Sequence, residues 1–148
     1  MDLDRHGLAI LSRSECLEIL GQHTFGRVAI TSGALPSVLP VHYRIVDDQV
    51  MFRTGRGTKL DAGTRNEVVA FEIDDMDPVA HSGWSVVVTG VARVLGDEEK
   101  AALDVPLARW APDPDGNVVA ISTELISGRR LLGGRSPGVG SDDAADGA

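Results

Sequence analysis

The 148-residue chain suits one domain, and its 43% hydrophobic content is enough for a sizeable core, built mainly from aliphatic residues because aromatics are only 4%. A formal net charge of −8 excludes the basic field that nonspecific nucleic-acid binding needs, and the lone Cys16 excludes a disulfide framework and fits a reducing cytosol. No signal-peptide pattern opens the chain and no apolar run nears the ~18 residues of a membrane span, so a soluble, cytoplasmic protein without nucleic-acid or membrane partners is expected.

Residues 1–10 are weakly patterned and read as a loose arm. Ser12 followed by Glu15 gives a capping-box signature, so a helix begins there. Cys16, Leu17, Ile19 and Leu20 supply its apolar side, Gly21 suits its end, and His23 reads as a helix-end polar residue. Cys16 reads as a small buried hydrophobe. Residues 25–31 (FGRVAIT) alternate and are rich in β-branched side chains, which predicts a strand, and Ser32-Gly33 a turn. Residues 36–46 (PSVLPVHYRIV) read as the next strand. Pro40 cannot donate to a ladder, so that strand lies at an edge or is bulged. One of His42 and Tyr43 should face a cavity, and the pattern leaves open which.

Asp47-Asp48 predicts the hairpin turn into a strand over 49–54. That strand ends in Arg53-Thr54-Gly55-Arg56-Gly57-Thr58-Lys59, where hydroxyls, backbone N–H groups and cations converge on glycines that permit close approach. A helix over 59–66 would aim its positive end at the same place. The combination suits a phosphate, against an acidic overall balance. A solvated hairpin end is the plainer reading of the same residues, and Arg56 and Arg65 fit surface charges equally well.

A buried strand is expected over 67–74 (EVVAFEID), a polar loop over 74–83, and the longest strand over 84–95 (WSVVVTGVARVL), with Gly90 marking a bulge or bend. Acidic residues 97–99 open a helix running to about Trp110. A loop over 111–117 and a short strand over 118–122 follow, then a segment over 123–132 folded back on the domain. From Gly133 the composition turns to Gly, Ser, Asp and Ala, which predicts a disordered tail over 133–148 after a domain of 1–132. Six strands at short spacing, without alternating helices, predict a mainly β (α+β) fold. The expected architecture is a six-stranded antiparallel split β-barrel of Greek-key type with two or three short helices. His6, His23, His42 and His81 show no metal-ligand spacing, so no metal is expected, and no serine or cysteine stands in a nucleophile setting.

The ordered series of capped helix, FGRVAIT, LPVHY, MFRTGRGTKL, VVAFEID and GWSVVVTGVARVL resembles the pyridoxamine 5′-phosphate oxidase-like flavoproteins. The match is good over 11–95 and looser to 132. The resemblance implies a split barrel, a homodimer, and FMN at the subunit interface. Carried over by position, Arg53, Thr54, Thr58 and Lys59 match the phosphate-contacting strand end and loop, and Leu60 falls where the oxidase proper often has another cation. Val38, Leu39, Pro40 and Val41 match the strand along the isoalloxazine edge, Tyr43 sits where the oxidase has a lysine, and Trp84 and Ser85 match a strand start that reaches the flavin, often from the other subunit. Trp84 suits a core position as well.

The chain departs from the oxidase proper at its end, where GRRLLG and a polar tail replace the basic segment that grips the substrate phosphate, and the late aromatic is absent from GNVVAI. Both departures argue against oxidation of pyridoxamine phosphate itself. The resemblance implies instead an FMN-dependent oxidoreductase of small molecules, fed by a reduced hydride donor, with no catalytic acid or base assigned. The alternatives are a deazaflavin-dependent reductase, for whose longer anionic tail Arg56 and Arg65 could serve, and a non-catalytic flavin- or haem-binding module with His42 as an axial ligand.

Overall fold

A computed structural model describes residues 1–103 and 116–133. In chain order the elements are β1 (Ala9–Ile10), α1 (Arg13–Gln22), β2 (Phe25–Ser32), β3 (Leu35–His42), β4 (Arg44–Val46), β5 (Gln49–Arg53) and α2 (Lys59–Gly63). They continue with β6 (Val68–Asp77), β7 (Ser82–Val94), α3 (Asp97–Ala101), β8 (Val118–Ser122) and β9 (Leu125–Leu131). The strands run in the order β3-β2-β6-β7-β8-β5-β4, and β9 pairs with both β7 and β1. Every pairing is antiparallel. The two ends of that path, β3 and β4, are consecutive in the chain with only Tyr43 between them, so the chain itself brings the curled sheet round. This is the mainly antiparallel architecture of a split barrel, with nine strands rather than the expected six.

Local chemistry explains the elements that matched. Ser12 Oγ accepts from the Glu15 amide while the Glu15 carboxylate accepts from the Ser12 amide, completing the capping box of α1. Asp47 and Asp48 both take positive φ in the two-residue turn joining β4 and β5, as a primed hairpin turn requires. Strand β2 buries Gly26, Val28 and Ile30 and turns Arg27, Ala29 and Thr31 outward. Pro40 lies on β3, which ends the sheet path and pairs with β2 in unbroken register. The edge expectation holds without a bulge. Gly90 sits where β7 changes partner from β9 to β8.

Four expectations are corrected. The arm over 1–10 is folded: Leu3 bridges Ala9, and the Asp4 carboxylate accepts from the His6 and Leu8 amides and from Arg129 Nε. The strand expected over 36–46 is two strands, because Tyr43 turns into the core. The polar loop expected over 74–83 is the end of a long hairpin, with Asp75 opposite Trp84 and Asp77 opposite Ser82. The segment after Thr123 is a full strand, β9, holding β7 on one side and β1 on the other. The expected helix beyond Leu103, most of the loop over 111–117 and the tail over 134–148 lie outside the described residues.

The core gathers Val28, Ile30, Phe52, Phe71, Val86 and Ile121 around Tyr43, whose ring meets Phe71 edge-on at 4.8 Å. Cys16 is buried there, as expected. Among the described residues, no helix is long and apolar enough to cross a membrane.

Candidate functional site

Between positions 53 and 65 the chain carries four cations, Arg53, Arg56, Lys59 and Arg65, and one acid, Asp61. The fold organises this stretch around the acid. Asp61 is 3% exposed. Its Oδ1 accepts from Thr54 Oγ1 at 3.0 Å and from Asn117 Nδ2 at 2.7 Å. Its Oδ2 accepts from the Gly57 amide and from Arg65 Nη2, both at 3.1 Å. Burial pushes its pKa up, but the donors from Asn117, Arg65, Gly57 and Thr54 outweigh it and hold the carboxyl below its ordinary value. The loop keeps its shape because Gly57 has φ +73°, in the left-handed region that suits glycine.

Two of the residues expected to meet a phosphate therefore spend their hydroxyls on the protein itself, Thr54 buried and Thr58 at the surface. Thr54 is buried with its hydroxyl on Asp61. The Thr58 hydroxyl donates to the Gly55 carbonyl at 2.6 Å and accepts from the Asp61 amide, capping α2. That helix spans five residues and carries Asp61 in its first turn, so its dipole adds little for an anion. Arg53 and Lys59 remain: neither makes an ion pair among the described residues, and Lys59 is exposed. Leu60 is half-buried against the core.

On β3, Val38 is 65% exposed and Pro40 is exposed, whereas Val41 is buried and Leu39 packs on the core. Val38 lines a cavity of about 290 Å³ on the outer face of β3, β2 and β6, together with Ala29, Ala70, Arg27, Glu72 and Asp74. Arg27 bridges Glu72 at 2.9 Å and Asp74 at 3.3 Å. Burial, the hydrogen bond to Asp74 and the charge of Asp74 push Glu72 up to about 7, against the pull of Arg27.

Tyr43 faces the core at 2% exposure, with its hydroxyl donated to the Leu20 carbonyl. His42, by contrast, is half-buried on the other side of the strand, edge-on to Phe25 at 5.0 Å. Trp84 and Ser85 lie on β7, three strands from β3 along the sheet. Trp84 is partly buried against the core with its ring 4.9 Å from that of His23. Within one chain the structure thus gathers Arg53 to Leu60 at one corner and leaves Trp84 and Ser85 apart from it.

Sequence reasoning overlooked Asp61 and Asn117. The Thr58-x-x-Asp61 spacing is a capping signature that marks Asp61 as a local acceptor; Asn117 arrives from 56 residues away and carries no such signal.

The family profile described as pyridoxamine 5′-phosphate oxidase matches residues 12–130. The chain belongs to the pyridoxamine 5′-phosphate oxidase-like family. It is similar to an uncharacterized protein of Mycobacterium tuberculosis, with 38% identity over 128 residues, covering 82% of this chain and 84% of that one. Among solved structures it is similar to the FAD binding protein from Mycobacterium smegmatis, with 35% identity and a TM-score of 0.74 over 85% of this chain and 100% of that chain. A Corynebacterium glutamicum protein matches with 30% identity and a TM-score of 0.73 over 92% of this chain and 99% of its own.

Proposed function

We propose that the protein is a flavin-binding oxidoreductase of small molecules, with FMN as its cofactor and a second copy of the chain completing the site. The observation that carries this reading is the basic corner: Arg53 and Lys59 stand without an ion pair among the described residues, on a loop held from inside by Asp61. An anionic phosphate is the ligand that two such side chains suit. The cavity beside Val38 offers a second feature that fits a flavin, since Ala29, Val38 and Ala70 line it with small apolar side chains.

When bound, FMN supplies hydride chemistry that no side chain of the chain can. The protein's part is to bind and orient. Arg53 and Lys59 would hold the phosphate, and Val38 and Pro40, exposed on β3, would contact the flavin. Arg27, fixed by two carboxylates, sets the charge at the edge of the cavity.

The dimer reading rests on two features. Trp84 and Ser85 stand too far along the sheet to join the corner of their own chain, so a partner subunit would bring them. The outer face also exposes Val68, opposite Val91, and Leu125, opposite Thr89, an apolar surface that a second copy would cover. FAD is a second reading, favoured by the Mycobacterium smegmatis neighbour; its diphosphate suits the same two cations.

The test is titration of the purified protein with FMN, FAD and a reduced deazaflavin, followed by absorbance and fluorescence, with the mass in solution measured alongside. Saturable binding of FMN to a dimer supports the proposal. Tight FAD binding with weak FMN binding would replace the cofactor, and a protein that binds only the deazaflavin would move it to the reductase class.

A further inference from the structure

We propose that Asp61 is the positioning residue of the cofactor corner: a built-in anion around which the loop sets, leaving Arg53 and Lys59 to meet the ligand's phosphate. The inference rests on the flavin phosphate lying at that corner.

A helix-capping acid near the surface needs one or two donors. Asp61 has four, from the end of β5, the glycine loop, the residues after α2, and the entry to β8. A carboxylate has about four lone-pair sites, so all are used. The four donors come from four stretches of chain. The end of β5 and the entry to β8 also meet through the Thr54 amide on the Asn117 carbonyl at 2.9 Å. Among the described residues only the carboxylate gathers all four, and it is ionised at neutral pH. The loop therefore holds its shape without a ligand. This matters for binding because a preformed loop avoids the ordering cost of closing on the phosphate.

The arrangement also assigns the cations. Arg65 is committed to Asp61, and the Thr54 hydroxyl and Gly57 amide point inward to the same carboxylate. Arg53 precedes one of these donors directly, and Lys59 lies two residues before Asp61 itself. A shift of the carboxylate would displace both. Asn at this position keeps the shape but carries an N–H₂ group where at least one pair of donors now ends, so donor would face donor.

The test compares FMN with riboflavin, which lacks the phosphate. Both are titrated into the wild type, Asp61→Asn and Thr54→Val, with far-ultraviolet circular dichroism and melting recorded for each. The wild type should prefer FMN. Asp61→Asn should weaken FMN by about tenfold while leaving riboflavin within about twofold, collapsing the preference. Thr54→Val removes one donor and should move the ratio the same way by about threefold; it decides the matter if Asp61→Asn does not fold. An unchanged ratio in the folded variants overturns the inference, and so does equal weakening of both ligands, which marks Asp61 as structural only. A wild type that binds riboflavin as tightly as FMN overturns the phosphate reading beneath it instead.

Discussion

The Tyr43 hydroxyl donates to the carbonyl of Leu20 at 2.6 Å, tying the break between β3 and β4 to the last turn of α1. That carbonyl is one of the helix-end acceptors without an intrahelical partner from the regular ladder. Tyr43→Phe keeps the ring on Phe71 and leaves that carbonyl only the long 3.5 Å bond from the His23 amide, so it should destabilise the fold by about 1 kcal/mol. Chemical denaturation checks this. Flavin affinity should not move, because Tyr43 is buried in the core; a weakened flavin with unchanged stability would put Tyr43 in the site.

Gly128 sits beneath the start of α1. A Cβ there would lie 2.6 Å from Cys16 Sγ and 3.0 Å from Leu11 Cδ1, which is too close for either to accept without moving. Gly128→Ala should cost about 1–3 kcal/mol through overpacking. A melting temperature equal to the wild type's would show that α1 can lift off β9 freely.

The raised Glu72 pKa has a stability consequence with a definite sign. Its folded value is about 7 against an ordinary 4.5, so between those values the folded state holds a proton that the unfolded chain has released. The stabilisation is complete below the unfolded value and is lost as pH rises through about 7. Wild-type melting temperature should therefore fall across that window, and Glu72→Gln should flatten the fall. Identical pH profiles for the two proteins would show that Glu72 titrates normally.

Lys59 is exposed and carries no fold contact that would be lost with its ammonium. Lys59→Ala should leave melting unchanged and weaken FMN by about 1–3 kcal/mol, the usual worth of a charge-assisted contact. Binding that survives this change at full strength would move the phosphate elsewhere.

What could be read from the sequence was what local chemistry decides. Ser12 and Glu15 announce α1 because their capping bonds span three residues, and Asp47-Asp48 announces its hairpin because the turn needs only itself. Pro40 marks an edge because its missing N–H is a property of one residue. Strand β9 was hidden because only Gly128 is buried along it, so LISGRRL has no apolar face to reveal it; its place is set by backbone pairing with β7. The far end of the β6–β7 hairpin was hidden likewise, since acidic side chains at 74, 75 and 77 read as loop while the ladder beneath them runs on. At the site, the cations were legible as a cluster. That Thr54 and Gly57 serve an internal carboxylate was not, because the contact that completes it comes from Asn117.

The most direct measurement is a structure of the protein with FMN bound. The phosphate should lie within ion-pair reach of Arg53 and Lys59, with Asp61 still holding its four donors behind them. A flavin seated elsewhere, with both cations turned to water, would contradict the account.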